Sequence, residues 1–119
     1  WLQVTGAALT GSFGRRVANL ATRFVAEGWC DVLASDGHSP NQRRPVLADA
    51  VLRARCLVGD EEARRLVIDR PKAVLDNLPP DAVPRPPALS GGYVPASGHI
   101  QSYITGLAAA TRRILRQQR

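Results

Sequence analysis

An α/β fold with parallel strands, in the order β-α-β-α-α, is what this sequence predicts for its body, followed by a proline-rich arm and a C-terminal amphipathic helix. Three observations predict it. Two short apolar runs, Leu2–Leu9 and Trp29–Ser35, are each followed by turn residues and read as strands. The stretch between them carries apolar side chains at helical spacing, and so does the stretch after the second run. A helix between two strands brings the chain back for parallel pairing, with helices packed outside the sheet.

The elements follow in order. Leu2–Leu9 is apolar with β-branched residues, and Thr10-Gly11-Ser12-Phe13-Gly14 turns the chain. Val17, Leu20, Ala21, Phe24 and Val25 then share one helical face, and Gly28 stands where a left-handed cap would end that helix. Trp29–Ser35 fits a buried parallel strand. It runs into Asp36-Gly37-His38 and a polar loop, Ser39 to Pro45. Leu47, Ala50, Val51, Ala54, Leu57 and Val58 form a second helical stripe that Gly59 ends. Asp60 caps a third helix, with Glu61 and Glu62 in its first turn. Pro71 suits the first turn of a fourth helix, Lys72 to Asn77.

Residues 1–77 are thus the body. Residues 78–98 carry Pro79, Pro80, Pro84, Pro86, Pro87 and Pro95 with three glycines, and read as an extended linker. Residues 99–119 read as a basic helix with Ile100, Tyr103, Ile104, Leu107, Thr111, Ile114 and Leu115 on one face.

Composition narrows the function. At 119 residues the chain holds one domain at most, and 45% hydrophobic with 22% charged residues is ordinary for a globular protein. No apolar run is long enough to span a membrane. Two cysteines are too few for a disulfide scaffold, Cys30 and Cys56 lie 26 residues apart and so lack zinc-finger spacing, and buried unpaired thiols are the default reading of both. The chain has no methionine and begins at Trp1 within an apparent strand, so it reads as a portion of a longer protein.

The net charge of +6 is uneven. Residues 1–82 hold eleven Lys/Arg and all ten acids, while residues 83–119 hold five arginines and no acid. The basic residues are not interleaved with aromatics, so a nucleic-acid partner is not expected. Arg112, Arg113, Arg116 and Arg119 instead suit docking of the final helix on a partner protein or an anionic membrane surface. That is the rival, non-catalytic reading of the chain: a binding module.

In parallel α/β sheets, chemistry gathers at the carboxyl ends of the strands. Asp36 and His38 stand there, two positions apart, so their side chains leave an extended strand end on the same side. Carboxylate with imidazole favours manganese, iron or zinc over calcium. The triplet also fits a plain loop, with Asp36 bonding backbone amides and His38 exposed. Arg43 and Arg44 could bind phosphate in a bidentate fork or be solvated loop charges. Thr10–Gly14 has backbone amides that could face an anion, but lacks the dinucleotide fingerprint and the P-loop lysine.

Taken together, Leu2–Gly14, the segment Leu33-Ala34-Ser35-Asp36-Gly37-His38 with Arg44-Pro45 after it, and Asp69-Arg70-Pro71-Lys72-Ala73-Val74-Leu75 resemble the C-terminal part of bacterial PHP-type protein-tyrosine phosphatases. These enzymes accompany tyrosine kinases in capsular and exopolysaccharide synthesis. The resemblance covers about residues 2–77. It implies a partial PHP-like distorted (β/α) barrel, a cluster of metal ions, usually manganese, and hydrolysis of phosphotyrosine on a protein by a metal-activated water. It implies Asp36 and His38 as metal ligands and catalytic residues, Arg43 near the substrate phosphate with Arg44 as its close alternative, a cytoplasmic location, and a bacterial tyrosine kinase as phosphoprotein partner. The family's His-x-His and its further His and Glu ligands are absent, since the chain has only His38 and His99. The chain alone is therefore expected to be a poor catalyst, and its open sheet edges to favour association with a second copy. Arg70 stands where the family usually has an asparagine before proline, a swap expected to remove a helix cap.

Overall fold

The computed structural model describes residues 1–41 and 44–91. Arg43, the last part of the expected linker and the expected C-terminal helix lie outside the described residues. Strand β1 (Gln3–Thr5) pairs in parallel with β2 (Val32–Ala34), with Gln3 opposite Val32, Val4 opposite Leu33 and Thr5 opposite Ala34. The helices are α1 (Gly6–Leu9), α2 (Arg15–Ala26), α3 (Ala48–Arg64) and α4 (Arg70–Leu75). A π-helical turn, Arg65–Asp69, joins the last two. Parallel pairing across an intervening helix is as expected; the described residues form a mixed helix and small-sheet unit, and the two strands among them do not close a barrel.

Both strands are shorter than the apolar runs that mark them. Gly6-Ala7-Ala8-Leu9 leaves the strand for a helical turn, because alanine and leucine are strong helix formers once pairing ends. Gly6 is needed there for space: a Cβ would lie 3.0 Å from the Ala50 Cβ, where α1 meets α3. Trp29 is exposed and stays outside β2, and Leu33 is the strand residue that enters the core.

Helix α2 is buried over its second half only. Ala21, Val25 and Ala26 reach the core, whereas Val17 and Leu20, expected on the buried stripe, are exposed. Gly28 ends the helix as expected, at φ 74°. Its N–H donates to the Val25 carbonyl at 3.0 Å and the Trp29 N–H to the Phe24 carbonyl at 2.9 Å, the paired bonds of a Schellman cap.

The second stripe is borne out: Ala50, Ala54 and Leu57 are buried. Gly59 breaks the helix at φ 80°, ψ 171°, a conformation essentially restricted to glycine. Asp60 follows with its carboxylate 3.2 Å from Arg55 Nε. From there the chain is helical to Leu75 without a new start. Pro71 has no N–H and its ring would collide with the carbonyl four residues back. The π turn before it widens the helix, with the Arg70 N–H donating to the Arg65 carbonyl.

Arg70 therefore loses no cap, contrary to expectation, because it lies inside a continuous helical run with φ −68°, ψ −46°. It is instead a core residue, 0% exposed, ion-paired to Glu62 at 2.7 Å. The core around it joins Val4, Leu9, Val25, Leu33, Ala54 and Leu66. Val83, in the first part of the expected linker, is also buried.

Candidate functional site

Ala34 ends β2, and Asp36 turns the chain with φ 51°, a left-handed conformation that aspartate tolerates better than most residues. Gly37 then lies against Pro45; a Cβ on Gly37 would stand 2.9 Å from the Pro45 Cα. The Asp36–His38 turn is so held against the Arg44–Val46 segment. Asp36 Oδ1 and His38 Nε2 approach to 3.3 Å, so the two side chains face the same side. Both are open to solvent, the Asp36 side chain 39% and the His38 side chain 63% exposed.

Beside this turn, a cleft of about 270 Å³ is lined by Thr10, Ser12, Phe13, Ser35, Arg44 and Asp49, among others. Thr10 to Phe13 follow β1 and α1, and Ser35 follows β2, so the cleft opens at the C-terminal end of the sheet. Thr10 Oγ1 donates to the Gly6 carbonyl at 3.1 Å, which fixes the loop to the end of α1. The structure thus gathers Asp36, His38, Arg44 and the Thr10–Gly14 loop at one end of the molecule. Val46 and Asp49 also line the cleft and went unnoticed in the sequence. Asp49 lies in the first turn of α3, and acidic placement in that turn was its only signal.

The thiols lie elsewhere. Cys30 is buried and donates to the Val32 carbonyl at 3.2 Å; burial pushes its pKa up to about 11. Cys56 is exposed rather than buried, which corrects the default reading of its apolar context. Among the described residues no group of three or more His, Cys, Asp or Glu side chains could hold a metal, so Asp36 and His38 form a two-donor set. Their spacing fits one ion: two donor atoms each about 2.1 Å from an ion at tetrahedral angles stand about 3.4 Å apart.

An α/β unit with its polar side chains gathered beyond the C-terminal ends of parallel strands is built as ligand-handling proteins of this class are built. The particular family is that described as "Capsular polysaccharide synthesis, CpsB/CapC", which matches residues 1–76, and the chain belongs to it. No curated protein and no solved structure matches the chain. Among the described residues no helix is long and apolar enough to cross a membrane.

Proposed function

We propose that this chain contributes to a metal-dependent phosphatase that removes phosphate from tyrosine residues of a protein in capsular and exopolysaccharide synthesis. The complete domain would be a PHP-like barrel acting in the cytoplasm, with a bacterial tyrosine kinase as its phosphoprotein. The observation that carries this reading is the convergence of Asp36 and His38 at the end of β2, in a chain of this family. Asp36 and His38 would hold manganese, which a mixed carboxylate and imidazole set suits. When bound, such an ion polarises a phosphoryl oxygen and makes water a better nucleophile.

The chain's own residues supply binding and orientation. Arg44 brings a guanidinium to the cleft, able to take two phosphate oxygens at once. Arg43 is its neighbour in sequence and would share that role. The Thr10 and Ser12 side chains line the same cleft and would orient the ester. Gly37 lets the Asp36–His38 turn lie against the Arg44 segment, which would keep a phosphate held by Arg44 close to the residues that would hold the metal.

Manganese-dependent hydrolysis of a phosphotyrosine peptide tests the reading. In a complete protein carrying this segment and the missing histidines, Asp36→Ala is expected to cost roughly hundredfold or more in rate, beyond what loss of a supporting partner costs. The 119-residue chain alone should show negligible activity and weak manganese binding, since two ligands leave most of the coordination sphere to water. Full activity in the Asp36→Ala protein would overturn the assignment.

A further inference from the structure

Arg70 takes no part in the site, yet it is the largest fully buried side chain among the described residues. A buried charge persists only where it is paired and its donors are satisfied. Glu62 pairs with it at 2.7 Å. Its other donors reach backbone carbonyls: Nε to Pro84 at 2.8 Å, Nη2 to Arg85 at 3.1 Å and Nη1 to Asp31 at 3.4 Å. Two of these three acceptors lie beyond residue 76, where the family match stops. Proline-rich backbone makes no regular ladder, which leaves such carbonyls free to accept. The same segment buries Val83, and the Ala88 N–H donates to the Gly28 carbonyl at 3.1 Å.

These contacts share one location. Asp31 immediately precedes β2, and its carboxylate accepts the Leu2 N–H at 2.6 Å just before β1. A cavity of about 300 Å³ between Trp1 and Asp31 on one side and Pro80, Val83, Pro84 and Pro86 on the other marks where segment and body meet. Asp31 precedes β2 and Asp36 follows it, so the two carboxylates flank opposite ends of the strand.

We infer that residues 79–91 form a strap across the N-terminal ends of the two strands, with Arg70 as its latch. The folded unit so extends past the family-matched stretch. Any pull on the strap is passed through Arg70 to Glu62 and to the start of β2.

Amide hydrogen exchange of the 119-residue chain tests this, read at Ala88, the strap amide bonded to the body. The Ala88 amide should be protected in the intact chain. Arg70→Lys keeps the charge opposite Glu62 but gives up the planar fork that spans three carbonyls. It should speed exchange at Ala88 by about tenfold, the scale of lost charge-assisted hydrogen bonds, while Ala54 and Leu57 in α3 keep their protection. Val83→Ser, which loosens the strap without touching Arg70, should do the same. An unprotected Ala88 amide in the intact chain overturns the strap. Unchanged protection in Arg70→Lys overturns Arg70 as its latch.

Discussion

The two ends of the small sheet carry the same kinds of side chain and treat them in opposite ways. At the N-terminal end, Arg70 is 0%, Asp31 8% and Glu62 8% exposed. Arg70 donates to the Pro84, Arg85 and Asp31 carbonyls, the Asp31 carboxylate accepts the Leu2 N–H, and Glu62 is ion-paired to Arg70 at 2.7 Å and to Arg65 at 3.5 Å. At the C-terminal end, Asp36 and His38 meet in solvent on a turn that needs a left-handed aspartate. Buried charges tie elements together and are costly to disturb. Solvated charges contribute little to stability. The difference teaches that the closed end holds the fold, while the open end keeps Asp36 and His38 in solvent, where the proposed chemistry would need them, as in barrels of parallel strands.

Stability measurements can break that comparison. Arg70→Met leaves the buried Glu62 only its longer contact to Arg65 at 3.5 Å and is expected to cost about 3 kcal/mol in urea unfolding, the low end for a broken buried pair. Arg70→Met with Glu62→Leu should recover much of that loss, because the weakly paired carboxylate is gone. Asp36→Ala at the other end should stay within about 0.5 kcal/mol of the parent chain, as substitutions of exposed groups usually do. Equal costs at the two ends would show that both pairs serve the fold.

The open end was the more legible in sequence, and the reasons are physical. Asp36 and His38 do face one side, as the spacing of two suggested, but through the left-handed turn at Asp36 and not through the period of an extended strand. Gly28 and Gly59 were legible because positive φ leaves few alternatives to glycine. The helix stripe from Leu47 was legible, but Val17 and Leu20 misled, since periodicity marks a face without saying how far along it a partner extends. Arg70 was misread as a lost cap. Its role depends on Glu62, Asp31, Pro84 and Arg85, which only tertiary packing brings together. The π turn that carries the helix through Pro71 was equally invisible, because propensity places proline at a helix start.

Cys30 sharpens the comparison by pH. It immediately precedes Asp31 at the closed end, and desolvation raises its pKa from 9.0 to about 11. Between those values the unfolded chain loses the thiol proton and the folded chain keeps it, so rising pH favours unfolding. The contribution is fully present below pH 9 and is lost as pH climbs to about 11, a swing of roughly 2–3 kcal/mol at about 1.4 kcal/mol per pKa unit. Urea unfolding of the parent chain should therefore fall more steeply over that window than unfolding of Cys30→Ala. Parallel pH profiles would mean that the thiol is not desolvated. At pH 8 an alkylating reagent should modify the exposed Cys56 and spare Cys30 in the folded chain.

A smaller effect than at Arg70 or Cys30 is expected at Gly28, where backbone conformation alone is at issue. Its φ of 74° lets the Gly28 and Trp29 amides close the end of α2, and its carbonyl accepts the Ala88 amide of the strap. Gly28→Ala keeps all three bonds possible but puts a Cβ into a left-handed residue, at a cost of roughly 1–2 kcal/mol. Gly28→Asn should cost less, because asparagine accepts that conformation more readily, as Asn77 does at φ 55° after α4. Urea midpoints in the order glycine, asparagine, alanine would show that the closed end depends on backbone geometry as well as on its buried charges. Equal midpoints for all three would mean that the cap relaxes, and would leave the charges to account for that end alone.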